Sequence, residues 1–362
     1  MSEPSFVARA ARRVVELSWP LLRAGLFQLD AETAHHVTVR GLKLAASAGL
    51  LRWLPGTAMA APLDLWGLRF PNRVGLAAGL DKTGESIDGF GAMGFGHVEI
   101  GTLTPRLQPG NEPPRLFRIV AKEAIVNRMG FNNPGITAGM AHAARRKWKG
   151  VLGVNIGKNF DTPNERAADD YLTCLRAAWP LADYVTVNLS SPNTKGLRDL
   201  QQEDSCRALI RILRAQQTKL AQQHGRHVPV LIKIAPDLDD AHIDGLARVF
   251  VEEKLEGVIA TNTTLSRRYV EGLRHADERG GLSGAPLTQR ATEVIARLCR
   301  ALDGAMPVIG VGGIMNGADA VEKLRAGASL VQIYTGLIYR GPALVRECVE
   351  GCAAALSRGG GL

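Results

Sequence analysis

Lys233 stands inside an otherwise apolar run, Val230-Leu231-Ile232-Lys233-Ile234. An ammonium there costs several kcal/mol unless an anion meets it. The neighbouring polar segments offer few acids besides Asp81, so a bound anionic cofactor suits the position better than an internal ion pair. A flavin fits, because its reduced ring carries negative charge that a fixed lysine stabilises. Gly310-Val311-Gly312-Gly313 and Tyr334-Thr335-Gly336 can present bare backbone N–H groups to a phosphate, although tight packing would also require glycine. Asparagine recurs in similar surroundings, at Asn127, Asn132, Asn155, Asn188, Asn193 and Asn262. Each amide both donates and accepts, so a group of them suits a planar ring of alternating N–H and C=O, such as a pyrimidine. Any one of them could equally be a turn or cap residue. Lys82 adds a cation for a substrate carboxylate. Ser191, in Ser190-Ser191-Pro192-Asn193, is either a proton-transfer group or part of a rigid turn. A serine hydroxyl is a poor base near neutral pH and must pass its proton on.

These residues share a position: each lies in or just after a short apolar, β-branched run. The runs are Val74–Ala78, His97–Gly101, Val151–Ile156, Tyr184–Leu189, Val230–Ile234, Val258–Thr261, Pro307–Val311 and Leu330–Tyr334. Helical stretches separate them, and one more, Ala343–Leu356, follows. Near-continuous apolar strands alternating with helices predict a parallel sheet covered by helices. Eight such units predict a β/α barrel, with its site where strands run into helices; an open doubly wound sheet is the alternative. The outgoing ends carry Ala78-Gly79-Leu80-Asp81-Lys82, Gly101-Thr102, Asn155 to Asn159, Asn188 to Thr194 and Thr261 to Thr264. The opposite ends carry no comparable cluster. Arg115–Val120 and Ala124–Val126 read as an extra β-hairpin. Gly89-Phe90-Gly91-Ala92-Met93-Gly94 matches a dinucleotide fingerprint in letters, but it closes a helix instead of opening one, which removes that reading.

With 46% hydrophobic and 22% charged residues among 362, the chain has globular composition, which excludes disordered and collagenous classes. A net charge of +9 favours anionic partners and says nothing of fold. Five cysteines without a C-x-x-C pair indicate structural thiols in a reducing compartment. No run is apolar enough to span a bilayer. Residues 1–52 read as helical, with Phe6, Val7, Ala10, Val14, Leu17 and Leu21 at helical spacing. Arg9, Arg12, Arg13 and Glu16 interrupt the apolar positions and Pro20 ends the run, unlike a secretory signal. Leu26-Phe27-Gln28-Leu29 reads as a connector, Asp30 as the cap of a second helix through Ala34, Val37, Gly41 and Leu44, and Trp53-Leu54-Pro55-Gly56 as the boundary. This piece is either an extension packed on the main body or a basic amphipathic hairpin in a membrane interface. Arg145-Arg146-Lys147-Trp148-Lys149 reads as a solvated helix end, and no nucleic-acid reader is present.

The runs Ala78 to Lys82, Asn127 to Asn132, Asn188 to Thr194, Ala260 to Thr264, Gly281 to Gly284 and Gly310 to Gly313 together resemble the dihydroorotate dehydrogenase family. The resemblance runs from Phe27 nearly to the C-terminus. It implies a barrel holding FMN that oxidises dihydroorotate to orotate in pyrimidine synthesis, with a C5 proton removed and a hydride passed from C6 to flavin N5. The helical extension, and a serine at the place where soluble classes carry a cysteine base, point to the membrane-bound, quinone-reducing class. Ser191 is then the base. FMN contacts fall at Ala78, Gly79, Leu80, Asp81, Lys82, Thr102, Asn155, Asn188, Lys233, Thr261, Gly284, Gly313, Tyr334 and Thr335. Substrate contacts fall at Lys82, Asn127, Arg128, Met129, Gly130, Phe131, Asn188, Asn193, Asn262 and Thr263. His35, Arg118 and Tyr334, with Phe27 to Asp30, fall on the quinone tunnel. The expected organisation is a membrane-facing extension over 1–52 and an FMN-binding barrel over 53–362, attached peripherally to the cytoplasmic side of the cell membrane. No metal is expected, no cysteine cluster marks an iron–sulfur partner, and a monomer suffices. A fumarate- or NAD-dependent variant is the nearest alternative. A flavin-free phosphate-binding barrel enzyme leaves Lys233 and the asparagines unexplained, and a silent membrane-associated binding protein needs none of them.

Overall fold

Strands whose both faces are buried have no polar side to present, which is why the eight runs read as almost continuously apolar. The computed structural model describes residues 6–53 and 59–358. In chain order its strands are β1 (Leu63–Leu65), β2 (Leu68–Phe70), β3 (Val74–Leu76), β4 (His97–Leu103), β5 (Leu116–Ile119), β6 (Ala124–Asn127), β7 (Val151–Ile156), β8 (Tyr184–Asn188), β9 (Val230–Ile234), β10 (Gly257–Ala260), β11 (Gly281–Gly284), β12 (Val308–Val311) and β13 (Leu330–Ile333). Eight of them close a barrel in the order β10-β12-β13-β3-β4-β7-β8-β9, every pair parallel. The doubly wound alternative is excluded. The Gly89 motif lies at the end of the helix Ile87–Gly91, ahead of β4.

Two small sheets finish the barrel. The β1–β2 hairpin packs Leu63, Leu65, Trp66, Leu68 and Phe70 on the interior residues Tyr184, Leu231, Ile259, Ile309 and Leu330. It plugs one end. At the other end β5 and β6 form the expected hairpin, and β11 adds a third strand antiparallel to β6. The third strand was not expected, because Gly281-Leu282-Ser283-Gly284 has loop composition. It needs those glycines: a Cβ on Gly281 would lie 1.8 Å from Thr263 Oγ1, and one on Gly284 2.2 Å from the Glu123 carbonyl oxygen.

Helix α1 (Phe6–Gln28) runs through Pro20, and α2 (Ala31–Ser47) follows. Pro20 therefore does not end the helix, and Leu26-Phe27-Gln28 is its last turn and not a connector. A proline removes one helical N–H. Here the segment around it is held by tertiary contacts: Trp19 Nε1 and Arg23 Nη1 donate to the Tyr339 carbonyl at 3.3 and 2.8 Å, and the Phe27 and Tyr339 rings meet edge-on at 5.4 Å. Asp30 caps α2, accepting from the Glu32 and Thr33 amides at 2.9 and 3.1 Å. Of the apolar positions expected in these helices, Ala34 is buried, whereas Leu17 (70% exposed), Leu21 (79%) and Leu44 (69%) are bare, as are Val14 and Val37. The side chains of Phe6, Val7, Ala10, Arg9, Arg12, Arg13 and Glu16, and the segment Leu54 to Gly56, lie outside the described residues. Among the described residues no helix is long and apolar enough to cross a membrane.

Candidate active site

The outgoing strand ends surround an open cavity. Ala78, Gly79, Lys82, Thr102, Asn188, Lys233, Thr261, Gly284, Gly313, Tyr334 and Thr335 all line it, as do Asn127, Met129, Gly130, Phe131, Ser191, Asn193, Asn262 and Thr263. Four residues expected at the cofactor or substrate lie elsewhere. Leu80 turns into a second cavity. Asp81 is buried below its loop, where its carboxylate accepts the backbone N–H of Thr83, Gly84 and Ser86 and shapes the turn that presents Lys82. Arg128 points away, paired with Glu278 at 2.7 Å and lying over the Phe117 ring. Asn155 sits one layer deeper, where it accepts from the Thr102 hydroxyl at 2.6 Å and from Asn188 Nδ2 at 3.3 Å. Asn132, also singled out by type, is not in the lining.

The amides in the cavity hold one another. Asn262 Nδ2 donates to the Ser190 hydroxyl at 2.9 Å, and Asn188 Oδ1 accepts from the Ser190 amide and hydroxyl at 3.1 and 3.0 Å. Asn193 Nδ2 donates to the Asn127 carbonyl at 3.2 Å. Ser191 Oγ accepts the Asn193 amide N–H at 3.2 Å, and among the described residues nothing accepts its own proton. Lys82 is half-buried and donates to the Gly79 carbonyl at 2.7 Å. Burial pulls its pKa down to about 8, against the attraction of Glu32. Burial pushes the Tyr334 phenol up to about 12.

A flavin fits what these residues leave open. The Lys233 side chain is buried, lines the cavity and has no hydrogen-bond acceptor among the described residues. Gln332 Oε1, on the same wall, is buried without a donor. An open donor and an open acceptor match a ring edge that carries both carbonyl oxygen and N–H. The glycines are less decisive. A Cβ on Gly313 would lie 2.3 Å from the Thr288 amide nitrogen, and one on Gly336 2.1 Å from the Ile314 carbonyl oxygen. Packing alone therefore requires them, while the bare backbone they leave lines the cavity.

A second cavity lies between α1, α2 and the barrel. Trp19, Leu26, Phe27, Val39, Leu42, Met93 and Leu337 make it mainly apolar, and His35 and Arg118 lie in its wall. Lys82 and Tyr334 line both cavities. Arg118 donates to the Leu26 and Leu29 carbonyls and lies 4.5 Å over the Phe27 ring, fixing the α1–α2 turn. Burial, then the charges of Lys82 and His36, hold His35 well below the usual imidazole range.

A family model described as dihydroorotate dehydrogenase matches residues 61–356. A protein of Akkermansia muciniphila named dihydroorotate dehydrogenase (quinone) is 59% identical over 330 residues, covering 91% of this chain and 95% of its own. The chain belongs to the dihydroorotate dehydrogenase family. A relative of the same name from Burkholderia thailandensis is 56% identical over 340 residues, covering 94% of this chain and 99% of its own. A crystal structure of a DHODH from Eimeria tenella in complex with ferulenol superposes with a TM-score of 0.83 at 37% identity, covering 92% of this chain and 95% of that one. The family is flavin-dependent, in keeping with the open donor and acceptor of the first cavity. Sequence reasoning missed Ser283, Leu287 and Gln332 in its lining. It also missed Glu99, fully buried below it, because one acid inside the run His97–Gly101 does not reveal which way it points. Glu99, and not Asp81, is the acid whose charge supports the Lys233 ammonium.

Proposed function

We propose that this member of the dihydroorotate dehydrogenase family oxidises (S)-dihydroorotate to orotate, a step of pyrimidine synthesis, with FMN as its flavin and a membrane quinone as final acceptor. The observation that carries the reading is the pairing of a cavity ringed by asparagine amides and two lysines with a mainly apolar one, across a shared wall of Lys82 and Tyr334. When bound, FMN supplies the two-electron acceptor that links the two reactions. Ala78, Gly79, Thr102, Lys233, Thr261, Gly284, Gly313 and Thr335 hold it; Lys233 supplies the cation and the glycines the bare backbone.

Asn127, Asn188, Asn193 and Asn262 grip the pyrimidine ring through paired amides, and the Lys82 ammonium meets its carboxylate. Ser191 removes the C5 proton. The Asn193 amide at 3.2 Å stabilises the serine oxygen as its own proton leaves, and water entering with the substrate takes that proton. Quinone reaches the site through the second cavity, where the neutral His35, Arg118 and Tyr334 meet its polar head. Residues 1–52 form the membrane-facing unit. The protein sits peripherally on the cytoplasmic face of the cell membrane, a reading supported by the exposed Val14, Leu17, Leu21 and Leu44 and by the positive charge of the chain. The visible spectrum of the purified protein tests the reading. Flavin absorbance that dihydroorotate bleaches without oxygen, and a quinone restores, is expected; a colourless protein that takes up no FMN contradicts it.

A further inference from the structure

Beneath the first cavity lies a carboxylate that the proposed reaction does not use. Glu99, on β4, is fully buried. Its Oε1 accepts from Asn155 Nδ2 at 2.8 Å. Its Oε2 accepts from the Tyr184 hydroxyl at 3.0 Å, the Thr186 hydroxyl at 3.2 Å and Gln332 Nε2 at 3.0 Å. Gln332 reaches it from β13 across β3, where its register partner is Gly75. That position carries no side chain, and a Cβ there would lie 2.0 Å from the His97 ring. Four neutral donors thus converge on one acid, and among the described residues no cation touches it. Asn155 also accepts from Asn188 Nδ2 at 3.3 Å, and Asn188 is the register partner of Lys233, so two amides join the carboxylate to the strand position beside that lysine; burial disfavours the Lys233 ammonium and Glu99 favours it.

We infer that Glu99 is the internal counter-charge of Lys233 and, by opposing that lysine's pull on added electrons, lowers the electron affinity of the bound flavin. The inference rests on the reading that a flavin fills the first cavity. Two electrons added to a flavin bring negative charge into the site. Lys233 favours that charge, and the buried carboxylate opposes it through a medium that screens little. The four donors soften the opposition without cancelling it. Glu99 is thus a positioning and tuning residue that touches neither substrate nor cofactor in this scheme.

The test is the two-electron midpoint potential of the flavin-loaded protein, read from flavin absorbance against a reductant of known potential. Glu99→Gln keeps the shape and removes the charge. The Tyr184 and Thr186 hydroxyls can turn to accept from it, and Gln332 retains the Tyr184 hydroxyl at 3.3 Å. The reduced form should gain roughly tenfold, an upward shift of about 30 mV for a two-electron couple. Glu99→Asp disturbs the same hydrogen bonds but keeps the charge, so its potential should stay close to the parent's. Tyr184→Phe strips one donor from the carboxylate and should move the potential downward. A purely structural role would lower flavin retention in all three without ordering their potentials by charge. An unchanged or lower potential in flavin-loaded Glu99→Gln overturns the inference; should that variant not fold, an unchanged or higher potential in Tyr184→Phe does the same. If the parent protein binds no flavin, the proposed function itself fails, a result the spectrum separates from the other.

Discussion

The two cavities are built on opposite plans. The first is set by strand ends, so backbone register fixes Thr102, Asn188, Lys233 and Thr261 on a closed barrel, and the amides brace one another. The second lies under two helices, and its wall is made of Leu26, Phe27, Val39 and Leu42, joined to the barrel by a few anchors such as Arg118 and Arg115. One plan suits a reaction that needs atoms placed to fractions of an ångström. The other suits a long apolar guest that needs room and a greasy wall. In the proposed scheme substrate oxidation belongs to the first region and quinone reduction to the second.

Perturbing one region at a time sharpens that contrast. Ser191→Ala should leave FMN bound and slow flavin reduction by dihydroorotate by roughly 10²–10⁴-fold in anaerobic stopped flow, the range expected for a lost general base. Removing residues 1–52 should abolish turnover with a long-chain quinone while dihydroorotate still bleaches the flavin; normal long-chain turnover would refute the tunnel. A smaller effect concerns pH. The Lys82 pKa lies below its ordinary value, at about 8. The ammonium is therefore present below that pH and lost as pH rises through it. kcat/KM for dihydroorotate should fall above about pH 8, and Lys82→Gln should start low and lose that limb. Smallest is the cap of α2: Asp30→Ala should destabilise the helix by about 1 kcal/mol, seen as faster hydrogen exchange over Ala31–Thr38, with the first cavity unaffected.

The same contrast explains what could be read before the fold was known. Barrel strands announce themselves because both faces are buried, and the residues after them inherit the site from topology alone. Lys233 was legible because a charge in an apolar strand demands a reason. Glu99 is equally buried and was not, since its partners come from β7, β8 and β13 and no local pattern joins them. Asp81 and Arg128 sit in site-forming runs, yet their side chains turn away to a backbone loop and to Glu278. Types and order do not say where a side chain points. β11 escaped because glycine and serine read as loop until β6 offers them an edge. In the second region, Pro20 was read by its local rule and overruled by Trp19, Arg23 and Phe27 docking on Tyr339.

The division of labour is tested most directly by timing the two half-reactions separately in paired variants. FMN reduction by dihydroorotate, and reoxidation of the reduced protein by a long-chain quinone, would be followed in stopped flow for Ser191→Ala and Arg118→Ala. Ser191→Ala should slow only reduction, and Arg118→Ala only reoxidation. If either variant slowed both steps equally, the two cavities would not be separate stations of one reaction.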